Sequence, residues 1–158
     1  MAPASAAHGA IQADLAYELR RHMIEQRRSC RVVTEPAIAT RVRASINLRV
    51  PDVGVSCTPA THGEQALTEP ILLIEILSPG NSSDTWDNVW SYTTIPTVRE
   101  IVVVHSTRIL AEVLRRDAEG NWPEQPEVTG PSGTLRLECV GFSCPIAAIY
   151  AQTPLATA

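Results

Sequence analysis

Two carboxylates stand where apolar strands have little reason to carry them. Asp52 lies in "RVPDVGVSC" (49–57) and Glu75 in "PILLIEILS" (70–78), both short and otherwise mostly apolar. A buried carboxylate without a partner is costly or stays protonated, so each must be compensated. In "ILLIEIL" both strand faces are apolar, the pattern of a central strand covered on both sides. Around Asp52, period-two alternation sends Val53, Val55 and Cys57 one way, and Asp52, Gly54 and Ser56 the other. Pro51 is tolerated at the start of such a strand. If the two strands are neighbours, as consecutive strands often are, the acids converge. Converging carboxylates repel unless a cation lies between them, and hard oxygen donors favour Mg²⁺ or Mn²⁺. The alternative is that Arg43 or Arg49 pairs with one or both acids.

The elements that must position these residues are legible in the spacing. Ile11, Leu15, Leu19 and Met23 recur every four residues, an apolar stripe that predicts a helix from His8 to Gln26. Glu18 lies three residues before Arg21 and four before His22, so it pairs with them or serves as a helix-borne third acid. Strands are predicted at "CRVVTE" (30–35) and "IATRVRASI" (38–46), followed by the two acid-bearing runs. "SSDTWDNVWSY" (82–92) predicts a second helix, N-capped by Ser82 or Ser83, with Asp84 and Asp87 in its first turn. Trp86 and Trp90 share one of its faces, to pack in the core or to stack on bases, and Tyr92 packs at its end. "REIVVVHS" and "RILAEVLRR" predict a hairpin around Ser106-Thr107. "TLRLECV" reads as a late strand and "CPIAAIY" as a short closing helix. The pattern is α/β or α+β with a mixed sheet.

Composition bounds the function. At 158 residues, with 44% hydrophobic and 19% charged content, the chain is one ordinary globular domain. No stretch approaches the roughly 18 apolar residues of a membrane span, and "MAPASAAHGA" lacks the regions of a secretory signal. These features point to a cytoplasmic protein. Cys30, Cys57, Cys139 and Cys144 form no C-x-x-C pair and are expected to be four reduced thiols; the alternative is a zinc site of Cys139 and Cys144 with His62 or His105. All 13 basic residues are arginines; the chain has no lysine. Eight arginines and four acids fall in residues 1–50, a balance of 8 − 4 = +4, whereas residues 51–158 carry 5 − 13 = −8. Such asymmetry can mark a face that meets a polyanion, or only a solvated helix with cross-strand ion pairs.

Pro51-Asp52 in "RVPDVGV", Glu75 in "LLIEILSPGN", then Asp84, Tyr92 and "IPTVREIVVVHS" form an ordered set. This set resembles the Uma-two (Uma2) family of restriction-endonuclease-like proteins, itself similar to the PD-(D/E)XK nuclease superfamily. The resemblance runs from about Pro3 to Tyr150, including "PASAAHGAIQADLAYEL" and "GTLRLECVGFSCPIAAIY". It implies a single restriction-endonuclease-like domain over 1–158, a mixed β-sheet flanked by helices, with 1–7 and 152–158 as flexible tails. It also implies Mg²⁺ (or Mn²⁺) held by Asp52, Glu75 and the carbonyl of Ile76. His8 matches a histidine at the head of the family's first helix and is either near the site or simply exposed.

Two positions depart from the pattern. The superfamily's water-orienting lysine falls on Leu77, and the helix position where many family members carry a lysine aligns with Asn88. The expected function is a Mg²⁺-dependent endonuclease hydrolysing DNA phosphodiester bonds, weakened by the missing lysine. Asp52, Glu75 and Asn88 would act in catalysis, in a homodimer because cutting both strands needs two sites. The alternative is a catalytically inactive nuclease-fold protein that binds nucleic acid or a partner protein.

Overall fold

Helix α1 (Ala6–Glu25) begins at Ser5, whose side chain accepts a hydrogen bond from the His8 N–H, a donor that the first turn would otherwise leave orphaned. The structure is a computed structural model that describes residues 5–42 and 45–157. Ile11, Leu15, Leu19 and Met23 of α1 are fully buried, as their four-residue recurrence predicts.

The strands follow as β1 (Arg31–Thr34), β2 (Ile38–Val42), β3 (Ser45–Arg49), β4 (Val53–Ser56) and β5 (Pro70–Leu77). After helix α2 (Ser82–Tyr92) come β6 (Glu100–His105), β7 (Ala111–Arg115), β8 (Glu127–Thr129), β9 (Thr134–Leu137) and β10 (Phe142–Pro145). Six of them form one sheet in the order β1-β4-β5-β6-β7-β8. β5 and β6 run parallel, joined by the α2 crossover that parallel neighbours require, and the other pairs are antiparallel. The fold is thus α+β, with a mixed sheet covered on both faces.

Each face has its own core. Against α1 lie Val53, Val55, Leu72, Ile74, Ile76, Val102 and Val104, closed over by β9 and β10. Against α2 lie Leu73, Ile101 and Val103, with Val89 and Tyr92 of the helix and Ile38 of β2. Burying one such aliphatic side chain contributes about 1.5–3 kcal/mol. β5 feeds both cores alternately, which is why its sequence shows almost no polar position.

The structure corrects four expectations. "IATRVRASI" contains two strands, because β2 folds back on β3 from Ile38↔Arg49 to Val42↔Ser45. Residues 43 and 44 lie outside the described residues, and with them any pairing of Arg43. α2 is N-capped by Asn81 rather than Ser82 or Ser83; the Asn81 Oδ1 accepts from the Ser78 N–H at 2.7 Å. Cys30 and Cys57 are joined by a disulfide, not reduced. They sit just past the Arg31↔Ser56 pair, so the β1–β4 register brings them together. Of the four cysteines expected to be reduced, Cys139 and Cys144 are free thiols. Finally, residues 152–156 pack rather than trail: Thr153 is buried, and Gln152 Nε2 donates to Asp14 Oδ1 at 2.6 Å. Residues 6 and 7 belong to α1, and 1–4 lie outside the described residues.

Candidate active site

β4 and β5 are antiparallel neighbours, and continuing their register from Val53↔Ile74 sets Asp52 opposite Glu75. Val53 and Val55 point into the α1-side core, so alternation gives Asp52 and Gly54 the α2 face. A Cβ on Gly54 would come within 2.9 Å of Leu67 and Pro36 side-chain atoms on that face. β5 alternates in the same sense and turns Glu75 toward α2, with Leu73 and Leu77.

Asp52 stands at the open end of β4, held by both oxygens. Oδ2 accepts from the Ile76 N–H at 2.6 Å, and Oδ1 accepts from His8 Nε2 at 2.8 Å. Its backbone carbonyl accepts from Gln12 Nε2 at 2.9 Å. Helix α1 thus reaches over the sheet end with His8 and Gln12, four residues apart on one face. His8 is buried, not exposed. Its Nδ1 lies 3.2 Å from Ser78 Oγ, which is 3.2 Å from Ser106 Oγ, so a polar chain links α1 to the ends of β5 and β6. The hydrogen bond with Asp52 raises the His8 pKa above the ordinary histidine value against the opposing effect of burial.

Glu75 is differently placed. It is 5% exposed, and Oε1 accepts from Tyr92 Oη at 2.6 Å and from Asn88 Nδ2 at 3.2 Å. Both donors are neutral and sit four apart on one face of α2. Among the described residues, no cationic side chain forms an ion pair with Glu75. Burial pushes its carboxyl up to about 7; the Tyr92 hydrogen bond pulls it down and the Asp52 charge adds to the rise. Burial beside Glu75 likewise raises the Tyr92 phenol, which stays a donor.

Other expectations resolve simply. Among the described residues Arg49 makes no ion pair with either acid, and its buried Nε has no hydrogen-bond partner. The Ile76 carbonyl accepts from Asn81 Nδ2 at 3.3 Å. Glu18 pairs with Arg21, ten residues along α1 from His8 and so about 15 Å away. Trp86 packs against the α2-side core, whereas Trp90 is 60% exposed and does not. Among the described residues no group of three or more His, Cys, Asp or Glu forms a metal cluster, which removes the zinc alternative. Tyr92 was expected only to pack. Its i, i+4 relation to Asn88, on the helix after an acid-bearing strand, was the available signal that it also donates to that acid.

A family model described as "Uma2: Putative restriction endonuclease" matches residues 1–147. A crystal structure of a putative nuclease belonging to DUF820 from Anabaena variabilis superimposes with a TM-score of 0.74 at 19% identity, over 95% of this chain and 83% of that one. No curated protein matches. No helix among the described residues is long and apolar enough to cross a membrane.

Proposed function

This chain belongs to the Uma2 family of restriction-endonuclease-like proteins, and within it we propose a Mg²⁺-dependent (or Mn²⁺-dependent) endonuclease that hydrolyses DNA phosphodiester bonds. The observation that carries the reading is Glu75: a buried carboxylate with only neutral donors, facing a second carboxylate across two hydrogen-bonded strands.

The donor set fits a hard divalent cation. Asp52 and Glu75 would hold it, with the carbonyl of Ile76 as a third oxygen. Two carboxylates suffice for Mg²⁺, which keeps several waters and shares substrate phosphates. Such an ion supplies charge neutralisation at the phosphoryl oxygens and lowers the pKa of a water. The remaining work belongs to the chain. His8 and the Ile76 N–H fix the orientation of Asp52, and Tyr92 fixes Glu75. Asn88 spends its amide N–H on Glu75, which leaves Oδ1 free to accept from a water and orient it. Arg49, whose charge acts on Tyr92, and the arginine-rich first 50 residues suit a polyanionic partner. A homodimer would present one site to each DNA strand, and a cytoplasmic location would give it access to DNA.

The missing lysine favours a second reading, an inactive nuclease-fold protein that binds nucleic acid or a protein. Plasmid incubated with Mg²⁺ or Mn²⁺ separates the two, with Asp52→Ala as the blank. Weak wild-type nicking above the blank, raised by Asn88→Lys, supports the nuclease. Losing one electrostatic stabiliser typically costs about 100- to 1,000-fold, which sets the scale of the expected gain. If neither protein cuts above Asp52→Ala, the binding module is the better reading.

A further inference from the structure

Ile76 and Val104 close the α1-side core at one end of the sheet. Alternation gives that same face to Ser78 and Ser106, two residues further on and just past the ends of β5 and β6. The parallel register pairs Leu77 with His105, and the Ser106 N–H donates to the Leu77 carbonyl at 2.9 Å, so the two serines leave the sheet side by side. Their hydroxyl oxygens lie 3.2 Å apart, and Ser106 is buried. An apolar pair would continue the core at less cost, because a buried hydroxyl must be hydrogen-bonded. Here the hydroxyls are answered by each other and by His8, whose Nδ1 lies 3.2 Å from Ser78 Oγ. Nε2 of the same ring lies 2.8 Å from Asp52 Oδ1.

This chain has one fixed end. An ionised carboxylate can only accept, so Nε2 carries the hydrogen that His8 shares with Asp52. On a neutral ring Nδ1 is then a lone pair, to which Ser78 donates while Ser106 donates to Ser78. On a charged ring the order reverses: Nδ1 donates to Ser78, and Ser78 donates to Ser106. A hydroxyl can serve in either sense, so the serines hold the imidazole in both charge states. What stays constant is the Nε2–H aimed at Asp52.

We propose that Ser78 and Ser106 are positioning residues of the divalent-cation centre, acting on Asp52 through His8. The proposal rests on the nuclease reading, in which Asp52 is a ligand. Asp52 is tied at one oxygen to the Ile76 N–H and at the other to His8. The sheet itself fixes the first tie. The second is only as fixed as the imidazole, which stands on another element and can rotate unless Nδ1 is also held. The serine pair supplies that hold and so joins α1, β5 and β6 on one ligand oxygen. Partners of this kind orient a ligating group and are read in metal affinity.

The test is calorimetric titration of Mn²⁺ into metal-free wild type, His8→Ala, His8→Gln, Ser78→Ala and the double variant Ser78→Ala/Ser106→Ala, with the melting temperature of each. Wild type should bind. His8→Ala should bind roughly 10- to 100-fold more weakly. His8→Gln, whose amide can still donate to Asp52, should recover part of that loss. Removing both hydroxyls together is close to neutral for folding, so the double variant should melt near wild type while binding about 2- to 10-fold more weakly, the worth of one hydrogen bond. A double variant that binds as tightly as wild type, whatever its melting temperature, overturns the role of the serines while the nuclease reading stands. His8→Gln that binds no better than His8→Ala overturns the route through His8. Should the double variant fail to fold, undiminished affinity in Ser78→Ala overturns the proposal equally. Wild type that binds no Mn²⁺ removes the metal centre of the nuclease reading, and this inference with it.

Discussion

One sheet buries two glutamates in opposite circumstances. Glu100, at the start of β6, is 1% exposed and fully answered. Arg115 Nε donates to it at 2.7 Å, and the N–H groups of Glu138 and Cys139 each donate at 3.0 Å. Glu75, on the neighbouring strand, is nearly as buried but meets only a phenol and an amide, with a second acid opposite. A charge that folding leaves uncompensated has to be tolerated for something other than folding. Glu100 ties β6 to β7 and to the segment after β9. Glu75 is left without a cationic partner among the described residues, and under the proposed function its carboxylate is kept for a ligand.

The comparison breaks most visibly at Glu100. Glu100→Ala leaves the N–H groups of Glu138 and Cys139 unanswered, while Arg115 keeps Glu127, so at roughly 1–3 kcal/mol for each unanswered group it should destabilise by about 2–6 kcal/mol. Chemical denaturation measures this, and a loss no greater than an ordinary surface substitution would show that Glu100 is not the tie described.

A slightly smaller effect is expected from pH. The Glu75 carboxyl is raised to about 7 in the folded protein, from 4.5 in the unfolded chain. The folded state therefore binds this proton more tightly. The stabilisation is complete below about pH 4.5 and is lost as pH rises through 7, amounting to about 3 kcal/mol. Denaturation of metal-free protein between pH 4.5 and 8 should show this fall, which Glu75→Gln should abolish. A wild-type curve that matches Glu75→Gln across the range would contradict it.

At fixed pH the signal is smaller again. At pH 8 without metal, Glu75→Gln should stabilise by about 2 kcal/mol, since a neutral amide keeps its hydrogen bonds at less desolvation cost. It should also remove any stabilisation conferred by added Mn²⁺. A destabilised variant would mean that Glu75 has a cationic partner in solution.

How much of this was legible in the sequence follows from which signals are local. The stripe Ile11, Leu15, Leu19, Met23 and the two-faced apolar run of β5 announce α1 and a central strand without further information. The hairpin of β6 and β7 forms with Val103 opposite Glu112, as the paired runs suggested. The β2–β3 hairpin was hidden because "IATRVRASI" contains no Gly, Pro, Asn or Asp to mark a break. β8 and β10 are three and four residues long, too short to show a period. The site was half legible. Two acids in apolar strands stand out, and their face follows from alternation. The Cys30–Cys57 bond depends on which strands pair, a fact no local window contains.

The central claim is that Asp52 and Glu75 together hold a divalent cation. Crystals of the protein soaked in Mn²⁺ near pH 8 and measured at the manganese absorption edge test it directly. The account predicts an anomalous peak between the two carboxylates, absent in Asp52→Ala. Carboxylates at that pH with no peak between them, or a peak only at other residues, would contradict it.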